Sequence, residues 1–182
     1  MAEFLTTSGT SHHIENIIIE AKSKLILVSP YLQISKTLFE RLKDASNRRI
    51  PIKIIYGKDE LKPNEKNSLA ELKTVELFYF ENLHAKCYFN ESKMVITSMN
   101  MYEFSERTNR EMGVLIDSIS DKALYDKASA ETFSILQSSE QVQLKKASRE
   151  TSALTRTNPR NVPGYCIRCE DRIPNNPSSP YC

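Results

Sequence analysis

Residues 82–100 have the sequence NLHAKCYFNESKMVITSMN. Two apolar runs, 83–89 and 94–98, flank the polar residues 90–92. Apolar runs separated by a short polar turn are typical of paired β-strands. We therefore predict that this stretch forms a strand pair.

His84 and Lys86 are two residues apart, so in a strand both side chains leave the same face of the sheet. Ala85, Cys87 and Phe89 would then face the core, with Cys87 as a buried thiol. An imidazole next to an ammonium group suits a phosphate, because the imidazole can attack phosphorus while the ammonium neutralises oxygen charge. The pattern predicts a nucleophile, His84, supported by Lys86.

Ser98 and Asn100 repeat the two-residue spacing at the end of the second strand. Their hydroxyl and amide groups can donate hydrogen bonds to phosphate oxygens. Glu111 begins a later apolar run and can accept a bond from the second imidazole nitrogen of His84, which would fix its tautomer. We predict that these residues complete the catalytic set.

These motifs resemble the phospholipase D and nuclease superfamily, whose HKD pattern is HxKxxxxD followed by xxxxxxGSxN. His84, Lys86, Ser98 and Asn100 match it, and Glu91 stands at the acidic position, where the resemblance implies a structural role. Thr97 stands where the pattern has glycine. Ser105, Asn109 and Glu111 resemble the usual continuation of the pattern, and the SPY sequence at 29–31 resembles the end of the first strand.

Helices and strands alternate on both sides of this stretch. Helical spacing of apolar residues predicts helices over 11–22, with Ser11 as N-cap, and after Ser35, and a short one over 65–72. A final helix over 121–137 would bury Ala123, Leu124, Ala128, Phe133 and Leu136. Apolar runs predict further strands over 24–29, 52–56, 75–80 and 111–117. The order predicts an α/β fold with a mixed, mostly parallel β-sheet flanked by helices, plus a small Cys-rich tail.

The chain contains one HxK motif and no internal repeat. In the superfamily two motifs face each other, one histidine attacking phosphorus and the other protonating the leaving oxygen. The resemblance therefore implies a homodimer with C2 symmetry and a phosphohistidine intermediate. Catalysis of this kind needs no metal cofactor.

The composition changes after the main domain, which we predict to span 1–138. Residues 139–161 have the composition of a linker, and 162–182 are rich in Cys and Pro. Cys166, Cys169 and Cys182 resemble part of the zinc ribbon of some bacterial superfamily members, which implies a structural zinc site. Its fourth ligand would lie beyond Cys182 or be another residue, and the alternative is an unstructured tail with free thiols.

The composition is that of a globular protein, with 40% hydrophobic and 26% charged residues. The net charge of +2 carries no global signature of nucleic-acid binding, so any such affinity must be local. The sequence lacks a signal-like start and an apolar run of membrane-spanning length. We expect a cytoplasmic protein that does not bind membranes.

The resemblance leaves three hypotheses for function. The first is a metal-independent nuclease acting on DNA or RNA, with a local basic stretch at Lys145, Lys146, Arg149, Arg156 and Arg160. The second is an inactive nucleic-acid-binding module that keeps the fold. The third is a phospholipase, for which the sequence offers no amphipathic anchor.

Overall fold

The computed structural model describes residues 1–57, 61–102 and 109–144, together with the backbone of 164–165 and 172–173. The chain divides into two units, Met1–Ala147 and Ser148–Cys182. In the second unit the described strands, β11 (Gly164–Tyr165) and β12 (Arg172–Ile173), pair antiparallel.

Helices and strands alternate through the first unit. The helices are α1 (Thr7–Glu20), α2 (Lys36–Asn47), α3 (Pro63–Glu71) and α4 (Lys122–Gln137). The strands are β1 (Glu3–Leu5), β2 (Leu25–Val28), β3 (Leu32–Gln33), β4 (Ile52–Tyr56), β5 (Val75–Tyr79), β6 (Cys87–Asn90), β7 (Lys93–Thr97), β8 (Met101–Tyr102), β9 (Gly113–Asp117) and β10 (Glu140–Val142). The predicted α/β fold, with helices flanking a mixed sheet, is confirmed.

Within the described residues, eight strands form the main sheet in the order β1-β9-β7-β6-β2-β4-β5-β10. Strands β2, β4 and β5 are parallel because helices connect them, and the other pairs are antiparallel. The prediction of a mostly parallel sheet is therefore wrong. The βαβ alternation ends at β5, after which a loop and a hairpin reverse the chain.

The sheet is covered on both faces. Helices α1, α2 and α3 cover one face, where Ile17, Leu42 and Tyr88 are buried. Helix α4 covers part of the other face, where Phe89 and Tyr125 meet edge to face. Because successive strand residues point to opposite faces, β6 contributes Tyr88 to one core and Phe89 to the other.

Two predicted boundaries and one predicted helix face differ from the structure. Helix α1 begins at Thr7, not after Ser11, so its first turn reaches across to residue 111. Helix α4 buries Tyr125, Ser129 and Thr132, whereas Leu124 is exposed, because the sheet contacts a different stripe of the helix. Residues 140–142, assigned to the linker from the sequence, pair with β5. The Ser35 N-cap is confirmed, since its side chain accepts a bond from the N–H of Leu38.

Candidate active site

Three segments meet at one end of the sheet. The chain enters β6 through residues 84–86, leaves β7 through 98–100, and enters β9 through 111–112. These strands are neighbours in the order β9-β7-β6, and the central strand β7 is antiparallel to both β6 and β9. The predicted residues of the HKD pattern, apart from Glu91, therefore lie at the same edge.

The sequence predicted that His84 and Lys86 lie within a strand, but in the structure both residues precede β6. The last pair between β2 and β6 is Val28 with Cys87, so β2 has no further residues to pair with the preceding segment. One strand-like bond remains, from the N–H of Thr97 to the carbonyl of Lys86, at 3.2 Å. The segment thus stays extended beside β7 while its outer side is open.

Gly57 determines the path of this segment. A β-carbon at Gly57 would lie 2.2 Å from the Cβ of Leu83 and 2.6 Å from the carbonyl oxygen of Phe80. Asn82 has φ of 63°, a left-handed conformation that Asn tolerates. The tight turn over Gly57 therefore delivers His84 to the end of the sheet.

Lys86 lies against His84. Its Nζ donates to the His84 carbonyl oxygen at 2.8 Å and lies 3.4 Å from Nδ1 of the imidazole. The imidazole is exposed and Lys86 is half-buried. An ammonium group at this distance supplies positive charge where a phosphate would approach the ring.

Side chains from β6, from β7 and from the residue after β2 hold the segment that carries Ser98 and Asn100. Thr97 Oγ1 accepts from the N–H of Met99 at 3.0 Å, and Tyr88 OH donates to the Met99 carbonyl at 2.9 Å. Ser29, the first residue of the SPY sequence, accepts from the N–H of Met101 at 2.8 Å. Ser98 and Asn100 alternate with these fixed backbone positions.

Glu111 is bound to Ser98. The Ser98 hydroxyl donates to Glu111 Oε2 and accepts from the N–H of Met112 at 3.2 Å, and Asn109 Nδ2 donates to Glu111 Oε1 at 3.4 Å. The predicted bond between Glu111 and His84 does not occur in the described part of the chain. While Ser98 donates to Glu111, its hydroxyl hydrogen is not available to a phosphate.

Asn100 lies on the same segment, and its Oδ1 is buried without a partner among the described residues. A buried amide oxygen without a bond is uncommon, because its desolvation costs free energy. Since Oδ1 only accepts hydrogen bonds, contact with a phosphate oxygen would use the Nδ2 hydrogens of Asn100.

Thr97 uses its hydroxyl to bond two neighbouring backbone groups. Oγ1 donates to the Met112 carbonyl at 2.6 Å as well as accepting from Met99. The hydroxyl thus joins the end of β7 to the start of β9.

Glu91 lies in the turn between β6 and β7, at the opposite end of the hairpin, seven residues and roughly 20 Å of extended chain from His84. It accepts from the N–H groups of Lys22 at 3.0 Å and Ser23 at 3.1 Å. Partial burial would raise the pKa of the Glu91 carboxyl, but these backbone hydrogen bonds outweigh it and hold the pKa below its ordinary 4.5. Glu91 therefore organises the connection from α1 to β2 and takes no part in the site.

A cleft of about 490 Å³ opens beside His84 and Lys86. Its walls combine apolar groups of α4 and the hairpin with the polar residues of the site: Ala85, Cys87, Ile96, Thr97, Ser98, Ala128, Glu131, Thr132 and Ile135. Burial raises the pKa of the Cys87 thiol to about 12 despite a bond with Thr132, so the thiol stays protonated and is a poor nucleophile. The prediction of a buried core thiol at Cys87 is confirmed.

Several predicted residues lie outside the described residues. They are Ser105, the basic residues from Lys145 to Arg160, and Cys166, Cys169 and Cys182. Among the residues that are described, no group of three or more His, Cys, Asp or Glu side chains could hold a metal ion. None of the helices in the described ranges combines the length and hydropathy needed to cross a bilayer.

The comparison with protein families decides the identity of the fold. The family model described as "Cardiolipin synthase, PLD-like domain" matches residues 14–143. The chain belongs to the PLD-like domain family. The resemblance stated from His84, Lys86, Ser98 and Asn100 is thereby confirmed at the level of the family.

Solved structures show the same PLD-like fold. Nuc from Salmonella typhimurium, a phospholipase D family member, is 15% identical with a TM-score of 0.66, over 79% of this chain and 99% of that one. NucT from Helicobacter pylori is 13% identical with a TM-score of 0.66, over 78% and 99%. Phosphatidylserine synthase from Haemophilus influenzae is 16% identical with a TM-score of 0.63, over 78% and 40%. No curated protein sequence matches the chain.

The PLD-like pattern is shorter here by one residue. It places six residues between the acidic residue and the glycine, whereas five separate Glu91 from Thr97. The hairpin turn is correspondingly tight: Asn90 would face Lys93 in the observed register, and Asn90 Oδ1 accepts from the N–H groups of Ser92 at 2.8 Å and Lys93 at 2.9 Å. Ser98 still reaches the site because the change leaves the pairing of β6 with β7 intact.

The sequence did not predict the long-range contacts that hold the site. Thr7 contacts Glu111 across 104 residues, and Ser29 contacts Met101 across 72. Neither has a local pattern that predicts its partner. The polar residues Thr6–Ser8 before a helical stretch offered only the signal of a helix start.

Proposed function

We propose that the protein is a metal-independent phosphodiesterase that cleaves DNA or RNA through a phosphohistidine intermediate in a homodimeric site. Family membership supports phosphodiester chemistry. The observation that carries the proposal is the position of His84, exposed beside Lys86 Nζ at the end of the sheet that also holds Ser98, Asn100 and Glu111.

In the first step an unprotonated imidazole nitrogen of His84 attacks phosphorus. A P–N bond forms and the P–O bond to the leaving group breaks. The leaving oxygen takes a proton from the imidazolium of the partner subunit's His84. The products are a phosphohistidine and a free hydroxyl end.

In the second step a water molecule attacks the phosphohistidine. The partner subunit's His84, now neutral, takes a proton from this water while the P–N bond breaks. The phosphomonoester leaves and both histidines return to their starting protonation states. Because the imidazoles carry the bond changes and the protons, neither step calls for a metal ion.

Lys86 and Asn100 are suited to hold the phosphate oxygens. The Lys86 ammonium lies at the imidazole, and the Nδ2 hydrogens of Asn100 can donate from a segment that is fixed from both sides. Preorganised donors of this kind stabilise charge that develops on the oxygens. Ser98 donates to Glu111, so we assign this pair to positioning the segment.

The homodimer follows from the single motif, and an exposed apolar row suggests where the second copy binds. Phe4, Val114 and Ile96 are directly opposite one another on β1, β9 and β7. They are 67%, 37% and 40% exposed, and Ile96 also lines the cleft beside His84. This apolar row is contiguous and borders a site that has only one HxK motif. We therefore infer that a second subunit binds over it.

Charge substitutions in the row test this interface. Ile96→Asp and Val114→Asp should convert a dimer into a monomer in sedimentation equilibrium and abolish phosphodiesterase activity. Ile119→Asp is the matched control, because Ile119 is 87% exposed in the turn at the other end of β9. A wild-type monomer with full activity would rule out the shared site.

Nucleic acid is the proposed substrate class for two reasons. The chain corresponds to nearly the full length of Nuc and NucT but to less than half of the phosphatidylserine synthase. Its sequence also places five basic residues between 145 and 160, and clustered Lys and Arg bind phosphate backbones. The alternative substrate is a phospholipid, which the description of the matching family model favours.

The deciding experiment incubates the full chain with labelled single- and double-stranded DNA, RNA and phosphatidylcholine vesicles, with and without a chelator. We expect cleavage of a nucleic acid that survives chelation and is lost in His84→Asn. His12→Asn is the matched control, since His12 is exposed on α1 and bonds only with Asn16 in the described structure.

Each other outcome points elsewhere. Cleavage of phosphatidylcholine alone would identify a lipid phosphodiesterase. Salt-sensitive DNA binding without turnover would identify a binding module. Cleavage by the His84→Asn variant would show that His84 is not the nucleophile.

A further inference from the structure

Thr7 connects the first turn of α1 to the site. Its hydroxyl accepts from the N–H of Glu111 at 2.9 Å and donates to the carbonyl oxygen of the same residue at 3.1 Å. One side chain thus satisfies both backbone groups of Glu111. Because two bonds from one hydroxyl fix both the position and the direction of a peptide, Glu111 has little freedom to rotate.

The close approach of α1 that makes this contact possible depends on Gly113. A β-carbon at Gly113 would lie 3.0 Å from Thr10 Oγ1, one turn after Thr7. It would also lie 3.2 Å from the Ile96 carbonyl oxygen. Glycine at the start of β9 therefore allows the helix to lie directly on the strands that carry the site.

By holding Glu111 in place, Thr7 also restricts the position of Ser98. The Glu111 carboxylate accepts from the Ser98 hydroxyl, and Ser98 lies between Thr97, whose N–H bonds Lys86, and the segment that carries Asn100. A shift of the Glu111 backbone would therefore move Ser98 and its neighbours. Small displacements of groups around a reacting phosphate reduce the rate strongly.

We propose that Thr7 is a positioning residue of the phosphodiesterase site, holding the backbone of Glu111 and, through it, Ser98. The inference rests on the proposed function. The hydrogen bonds given for the Thr7 hydroxyl in the described structure are with Glu111, so the proposed effect on the reaction passes through Glu111.

The test compares Thr7→Val, which keeps the shape but removes the hydroxyl, with Thr7→Ser, which keeps the hydroxyl. Thr7→Val should lower kcat by about 3- to 10-fold, the equivalent of one net hydrogen bond, with little change in KM. Thr7→Ser should restore kcat to within about twofold. Thr6→Val is the matched control, because Thr6 is exposed and its hydroxyl contacts only Ser8 among the described residues.

A double-mutant cycle separates positioning from general stability. In a Glu111→Ala background, Thr7→Val should cause no further loss of kcat, because the side chain that connects the Glu111 backbone to Ser98 is gone. Equal losses in both backgrounds, or a Thr7→Val enzyme with wild-type kcat, would overturn the inference.

Hydrogen exchange of the Glu111 amide distinguishes a failure of this inference from a failure of the proposed function. We expect faster exchange in Thr7→Val than in the wild type, Thr7→Ser or Thr6→Val, whether or not the protein cleaves a phosphodiester. Unchanged protection of this amide in Thr7→Val would show that the Thr7 hydroxyl does not hold the Glu111 backbone. An inactive wild type with the expected exchange pattern would contradict the proposed phosphodiesterase activity. The two Thr7–Glu111 hydrogen bonds would then be a structural contact without a role in catalysis.

Discussion

Thr97 lies directly opposite Gly113 in the pairing of β7 with β9, and a β-carbon at Gly113 would lie 3.2 Å from the Cβ of Thr97. The side chain that replaces the glycine of the HKD pattern is thus accommodated by a glycine on the neighbouring strand. Its hydroxyl bonds Met112 and Met99 and so joins the two strands where they reach the site.

We predict that Thr97→Ser retains near wild-type activity and stability, because serine keeps both hydrogen bonds. Thr97→Val should lose about 1 to 2 kcal/mol of unfolding free energy, since it removes the bond to the N–H of Met99, whereas the Met112 carbonyl keeps its bond from the N–H of Ser98. Urea unfolding and steady-state kinetics measure both effects. A Thr97→Gly enzyme that is faster than wild type would instead mean that the threonine obstructs the substrate.

Gly113→Ala should destabilise the protein by about 1 to 3 kcal/mol, because the new methyl group meets backbone and side chains closer than normal contact. Gly9→Ala in α1 is the control, since its β-carbon would make ordinary contacts of 3.6 Å or more. That change should stabilise by about 0.5 to 1 kcal/mol through helix propensity. Thermal unfolding that ranks the two variants in the opposite order would contradict the packing of α1 on β9.

Gly57→Ala should reduce activity by more than its loss of folding stability alone would explain. The new β-carbon would lie 2.2 Å from the Cβ of Leu83, which is buried, so the turn before His84 must shift. A misplaced nucleophile costs about 10- to 100-fold in kcat/KM, whereas the folding cost should stay near 1 to 3 kcal/mol. Kinetics at a temperature where the variant is fully folded isolates the first effect.

The outcome that would contradict this assignment is a folded Gly57→Ala protein with wild-type kcat/KM. Gly9→Ala again serves as the control, because it adds the same methyl group far from the turn in sequence. Its kcat/KM should match the wild type.

The sequence predicted those parts of the site that depend on local pattern. The hairpin from Cys87 to Thr97 follows from its apolar runs and polar turn, and the HxK spacing identified His84 and Lys86. Strand direction was not predictable in the second half, because helices no longer separate the strands there. The direction of β6 depends on the turn over Gly57, which no periodicity reveals.

Side-chain partners were the least predictable feature. Glu111 was expected to bond His84, but its carboxylate bonds Ser98, and Thr7 holds its backbone from the other end of the sequence. A hydrogen bond between residues 104 positions apart depends on the packing of α1 against β9. Such contacts follow from tertiary structure, which local spacing does not encode.

Glu91 illustrates how a motif residue can stabilise the fold from outside the site. Its carboxylate accepts from the N–H groups of residues 22–24, which join α1 to β2. Glu91→Gln should therefore reduce the free energy of unfolding by about 1 to 2 kcal/mol at pH 7. The value is moderate because the Glu91 carboxylate is partly open to water. The kcat of the folded variant should equal that of the wild type.

The pH dependence of this loss follows from the direction of the pKa shift. The pKa of Glu91 in the folded protein is below the ordinary 4.5, so its contribution is fully present above 4.5 and is lost as the pH falls through the folded pKa. The stability difference between the wild type and Glu91→Gln should shrink over that acidic range, measured by urea unfolding at successive pH values. Glu20→Gln, which removes only an exposed pair with Lys93, should cost under about 1 kcal/mol at pH 7. A difference for Glu91→Gln that persists unchanged well below pH 4 would show that the charge of Glu91 does not stabilise the connection.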